Sequence, residues 1–140
     1  MELYVETSAV LSWLLAQNGG DEAYRALTGA THVYTSDLTL IECDRVLHRA
    51  AATRRLDEAT AAGLRTAIDT AAAHWNVCSI DTEVVDGARR RFPHEPVRAL
   101  DAIHLSTAVF VRNLAPAVSV LSFDDRIRRN AEALGFDVAA

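Results

Sequence analysis

The 140-residue chain contains no lysine; all 14 of its basic residues are arginine. That absence excludes the P-loop nucleoside triphosphatases, whose phosphate grip requires a lysine. Cysteine is scarce as well. Cys43 and Cys78 stand alone, without the paired spacing of a zinc site and too few for a disulfide framework, so two reduced, packed thiols are expected. No apolar run approaches the ~20 residues of a membrane helix, and the N-terminus lacks the basic start and cleavage site of a secretory leader. The expected location is therefore the cytoplasm, with no membrane partner. Aromatic residues amount to 6%, too few to suggest a stacking platform for single-stranded RNA. The net charge of −5 argues against a nonspecific coat of nucleic acid, although arginines gathered locally can still bind phosphates.

What is present has globular composition: half the residues are hydrophobic and 24% are charged. No linker rich in Pro, Gly or Ser divides the sequence and no repeat appears, so residues 1–140 read as a single domain. Short apolar runs alternate with helical periodicity. Leu3 to Val5 reads as a strand, followed by helices over Ser8 to Leu15 and Asp21 to Leu27, the second with Asp21 as its N-cap. His32 to Thr35 reads as the next strand, and Ser36 caps a helix whose buried stripe is Leu40, Cys43, Leu47 and Ala50. A helix from about Asp57 to Ala73, a strand over Val77 to Ile80 and an Asp81-capped helix over Thr82 to Phe92 follow, with a loop between Pro93 and Pro96. Ala99 to Arg112 is apolar almost all round, as in a helix buried on most sides. Val118 to Leu121 reads as a strand, Asp125 to Leu134 as an amphipathic helix stopped by Gly135, and Phe136 to Val138 as a last short strand. This alternation predicts an α/β fold, three layers α/β/α around a mainly parallel central sheet.

Four acids stand out against that pattern: Glu6 after the first strand, Glu42 off the buried stripe of its helix, Asp101 opening the buried helix, and Asp124 after the Val118 to Leu121 strand. Ligands in such sheets gather beyond the carboxyl ends of the strands, where Glu6 and Asp124 fall. Asp101 and Glu42 lie in the first turns of helices, where amide dipoles favour negative charge. Each alone is explained as a cap or a solvated side chain. Gathered on one rim, they would repel one another and stay ionised only beside a positive charge, which Mg²⁺ or Mn²⁺ would supply.

The local sequences around these acids resemble the PIN domain, and within it the VapC-type toxins of toxin-antitoxin pairs. The resemblance spans essentially the whole chain. Tyr4-Val5-Glu6-Thr7-Ser8-Ala9 is similar to the family's opening motif, Glu42 falls at its second acidic position, Arg98-Ala99-Leu100-Asp101-Ala102-Ile103-His104-Leu105 matches its third motif, and Ser122-Phe123-Asp124 its closing one. The resemblance implies a Mg²⁺ or Mn²⁺-dependent endoribonuclease that cleaves structured RNA, forms a homodimer and is neutralised by a cognate antitoxin. It implies that Glu6, Asp101 and Asp124 hold the ion and that Glu42 orients a water or completes a second metal position. Thr7, Ser8 and Ser122 would support the carboxylates or metal waters, and Arg98 would hold RNA. His104 reads as a core histidine satisfied by a backbone or carboxylate partner. One departure stands out: the family's first acid is normally aspartate, and this chain has Glu6. A PIN-like module that binds RNA or protein without cutting is accordingly the alternative. A receiver-like signalling domain also gathers acids around Mg²⁺, but such domains resemble one another in using a lysine that this chain lacks.

Overall fold

The computed structural model describes residues 1–139. Its elements are β1 (Glu2–Val5), α1 (Thr7–Leu14), α2 (Gly20–Gly29), β2 (His32–Ser36), α3 (Asp37–Ala52), α4 (Glu58–Ala72), β3 (Asn76–Cys78), α5 (Thr82–Ala88), α6 (Ala99–Leu114), β4 (Ser119–Leu121) and α7 (Asp125–Ala133). The four strands form one parallel sheet in the order β3-β2-β1-β4. Parallel neighbours need a crossover, and the helices between the strands provide it while covering both faces. The three-layer α/β/α arrangement expected from the sequence is the one found.

β1 lies at the centre, paired on one side with β2 and on the other with β4. Its side chains divide between the faces with the strand period of two. Leu3 and Val5 join one core with Ala9, Val10, Ala23, Cys43 and Ile68. Tyr4 points the other way into a second core with Leu105, Val111, Val120 and Ile127. A core on each face is the physical meaning of three layers.

The chain builds the sheet outwards from β1 to β2 and β3, then returns to lay β4 on the opposite side of β1. The switch point of the topology therefore falls between the ends of β1 and β4, the crevice where open α/β sheets collect ligands. The Glu6 amide donates to the Leu121 carbonyl at 3.0 Å, so the β1–β4 ladder runs one step further and brings Glu6 beside the start of the 122–124 segment.

Several element boundaries differ from the sequence reading. α2 begins at Gly20 with Gly19 as N-cap, and Asp21 lies inside its first turn. Gly19 has φ +84°, and a side chain on it would press into the Phe123 ring, while one on Gly20 would collide with the Ser12 carbonyl. Close packing of the α1–α2 turn selects glycine there and displaces the expected cap. β3 is a short edge strand, Asn76–Cys78, leaving Ile80 in the following exposed loop. α5 stops at Ala88, four residues before Phe92, whose position ahead of Pro93 disfavours helical backbone. On the stripe of α3, Cys43 and Leu47 are buried whereas Leu40 and Ala50 are only partly so. The final segment forms a single parallel bridge, Val120 to Val138, rather than a strand.

Candidate active site

The switch point is lined by polar side chains that are buried. Glu6 sits between β1 and α1 in extended backbone and caps the helix, its Oε2 accepting from the Ser8 amide at 3.1 Å. Its Oε1 accepts from two hydroxyls, Ser8 Oγ at 2.5 Å and Ser122 Oγ at 2.6 Å. Only 5% of Glu6 is exposed. The serines are tied in turn, because the Phe123 amide donates to Ser8 Oγ at 2.8 Å and the Asp124 amide to Ser122 Oγ at 3.1 Å. A single carboxylate thus latches the end of β1 to the loop after β4. Asp124 caps α7, its Oδ1 accepting from the Ile127 amide at 3.0 Å.

Asp101 lies in the first turn of α6 and is 8% exposed. Its Oδ2 is buried with no hydrogen-bond partner. The Arg98 Nε approaches that oxygen at 3.5 Å, which makes an ion pair too long for a hydrogen bond, from a side chain 70% exposed to solvent. Burial and the neighbouring Asp124 charge raise the Asp101 pKa above the ordinary carboxylate value, outweighing the opposing pull of Arg98.

Glu42 comes from α3 and reaches the same region from another side. Its Oε1 accepts from Thr7 Oγ1 at 2.6 Å and pairs with His104 Nε2 at 2.7 Å. Burial pushes the Glu42 carboxyl upward, but the donors from His104 and Thr7 prevail and its pKa lies below the ordinary value. His104, 1% exposed, also meets the Tyr4 hydroxyl through Nδ1 at 3.0 Å. The carboxylate partner expected for this core histidine is Glu42, and the Tyr4 hydrogen bond had no signal in the sequence.

Hydrogen bonds therefore connect Glu6, Ser8, Ser122 and the Asp124 backbone in one network, and Glu42, Thr7 and His104 in a second. Asp101 feels the charge of Asp124. Among the described residues no group of three His, Cys, Asp or Glu side chains forms a ready metal cage. Glu6 is tied to Ser122, two residues before Asp124, and Asp124 and Asp101 are close enough for their charges to interact, but the three do not close on a common centre.

The arginines divide by role. Arg98 stands at the N-cap of α6 beside Asp101. Arg128 turns inward, its guanidinium donating to the Ser122 carbonyl at 2.8 Å and so bracing the site loop. Arg126 and Arg129 stay exposed and line a cleft of about 160 Å³ with His94, Glu95, Pro96 and Asn130. Asn130, 1% exposed, holds the cleft's loop through the amide of His94 at 2.9 Å and its carbonyl at 3.1 Å. In the sequence the three arginines of α7 read alike; the helical turn separates them.

The PIN domain family model matches residues 3–133. This chain belongs to the PIN domain family. Among characterised relatives, ribonuclease VapC35 of Mycobacterium tuberculosis is 30% identical over 140 residues, which is 99% of this chain and 96% of the relative. Two solved structures share the fold. VapC20 of Mycobacterium tuberculosis, a toxin that cleaves the sarcin-ricin loop, superposes with a TM-score of 0.67 at 21% identity over 99% of each chain. VapBC2 of Rickettsia felis, bound to a DNA fragment of its promoter, gives 0.63 at 8% identity over 99% of this chain and 97% of the other.

Proposed function

We propose that this chain is a Mg²⁺ or Mn²⁺-dependent endoribonuclease of the VapC type, which cleaves structured RNA and is neutralised by a cognate antitoxin. The observation that carries the metal reading is Asp101 Oδ2, a buried carboxylate oxygen without a hydrogen-bond donor, facing the charge of Asp124. A buried anionic oxygen without a hydrogen-bond donor, its one ion-pair partner a long and largely exposed arginine, is costly, and a bound cation offsets the cost. The donors are oxygens, as a hard cation requires, and Mg²⁺ commonly uses one or two carboxylates and keeps its remaining positions for water and phosphate. The open arrangement of the acids suits such an ion better than a closed cage would.

Asp101 and Asp124 would hold the ion, with Glu6 reaching it directly or through water. Bound there, the ion would lower the pKa of a coordinated water and offset charge on the scissile phosphate. The protein's own part is positional. Glu42 orients the attacking water, Ser8 and Ser122 fix Glu6, Thr7 fixes Glu42, and Arg98 with Arg126 and Arg129 holds flanking phosphates. A homodimer belongs to the same proposal, and Tyr24, Ile41 and Leu114, each at least half exposed, offer apolar area for protein partners. Likeness to VapBC2 supports the antitoxin.

The experiment is direct: purified protein with Mn²⁺ should generate discrete new ends in structured RNA, and a chelator should stop it. A second reading draws on the latch around Glu6, whose carboxylate already has three donors. If that engagement withholds Glu6 from metal chemistry, the chain is a binding module, and RNA would be retained without cleavage.

The arginines give a separate expectation. Every phosphate of single-stranded RNA that a removed arginine leaves unneutralised reduces the slope of log affinity against log salt by about 0.7. Arg126→Ala with Arg129→Ala should therefore flatten that slope by roughly 1.4 in a filter-binding titration. Arg128→Ala should lower the melting temperature instead, because its guanidinium serves the fold.

A further inference from the structure

Glu42 has two carboxylate oxygens with unequal freedom. Oε1 accepts from Thr7 Oγ1 at 2.6 Å and lies 2.7 Å from His104 Nε2, which fills both of its acceptor positions. The ionised carboxylate can only accept, so Nε2 must carry a proton. This holds whether the ring is neutral or charged, because Nδ1 faces the Tyr4 hydroxyl at 3.0 Å, a group able to donate or accept. A phenol, whose ordinary pKa is about 10, keeps its proton at neutral pH. Tyr4 and His104 are each 1% exposed, so bulk solvent does not compete for either partner. The four side chains come from β1, α1, α3 and α6, so this hydrogen-bonded chain clamps the α3 carboxylate against both the sheet and the helix that carries Asp101.

We infer that His104 is a positioning residue which, with Thr7 and backed by Tyr4, saturates Oε1 and leaves Oε2 as the single oxygen through which Glu42 acts on the substrate side. The inference rests on the nuclease reading above, in which Glu42 serves the chemistry. A histidine that merely filled the core would contribute to folding alone. One that positions a carboxylate contributes to the rate step, since partners of this kind are worth about ten- to a hundredfold in activity.

Gln and Leu separate the two roles. His104→Gln keeps an N–H donor near the Nε2 position, whereas His104→Leu keeps bulk without a donor. With Mn²⁺ and structured RNA, His104→Leu should lower kcat by about ten- to a hundredfold and leave KM within about twofold, and His104→Gln should recover most of the loss. Equal losses in the two variants, or a loss confined to KM, would overturn the inference. The wild-type protein supplies a readout free of folding effects and of activity: nitrogen NMR of the ion-free protein should find His104 Nε2 protonated. An unprotonated Nε2 would overturn the inference as well. Wild-type protein that cleaves no RNA would defeat the nuclease reading, and the imidazole spectrum would still decide whether His104 clamps Glu42.

Discussion

Asp101→Ala is expected to lower RNA cleavage by about a thousandfold, since charge stabilisation by a bound ion is worth several kcal/mol and each ~1.4 kcal/mol is a factor of ten. The loss should appear in kcat, with RNA binding by the arginines nearly unchanged. Cleavage within about tenfold of wild type would place the ion, or the chemistry, away from Asp101. The same residue carries a stability signature with a defined sign. Its pKa is raised in the folded protein, by burial first and Asp124 second, so folding favours the protonated form. The corresponding stabilisation is complete at acid pH, below the unfolded value, and is lost as pH rises through the higher folded value. Above that value folding of the ion-free protein therefore carries the full cost of burying Asp101 beside Asp124. Asp101→Asn should melt higher than wild type in chelator at pH 7 and flatten the decline in stability above the ordinary carboxylate range. Mn²⁺ should raise the melting temperature of wild type and not of the Asn variant. A variant that melts lower in chelator would show that the buried Oδ2 has a stabilising partner.

The sequence exposed this acid for a reason that also explains what it concealed. Alternation of apolar runs and helical stripes predicts a parallel α/β sheet, and such a sheet puts residues after its strands on one rim; Glu6 and Asp124 needed nothing else. Asp101 was legible because a charged residue opens a helix apolar on most sides. Glu42 was visible only as a residue off a stripe, the ordinary place for a solvated glutamate, and its link to His104 crosses 62 positions that periodicity does not connect. His104 itself sits in the apolar run, where pattern alone cannot distinguish a packed ring from a clamp. The boundaries that moved are those set by long-range packing or by the sheet's edge. Gly19 displaced Asp21 as a cap through its approach to Phe123, and β3 is short because it has a neighbour on one side only.

Glu6→Ala is expected to cost about 2–3 kcal/mol, because it removes a helix cap and leaves the Ser8 and Ser122 hydroxyls without their charged acceptor. In a chain of this size that corresponds to a fall of roughly 10 °C in melting temperature. The informative variant is Glu6→Asp. Aspartate is among the best N-caps, so the Ser8 amide keeps an acceptor, but the shorter arm no longer spans to Ser122, and about 1 kcal/mol is lost. For the chemistry the shortening acts in the opposite sense. Mg²⁺ demands near-octahedral ligands at about 2.0–2.1 Å, and a displacement of about 1 Å can cost on the order of a hundredfold, so returning the carboxylate to the family's usual reach should speed cleavage by up to that factor. Stability and rate are therefore expected to move apart, with a melting temperature lower by a few degrees and a faster initial rate in Mn²⁺. A fall in both would mean that the longer side chain is adapted to this site, its latch to Ser122 holding the loop that carries Asp124 where the reaction needs it.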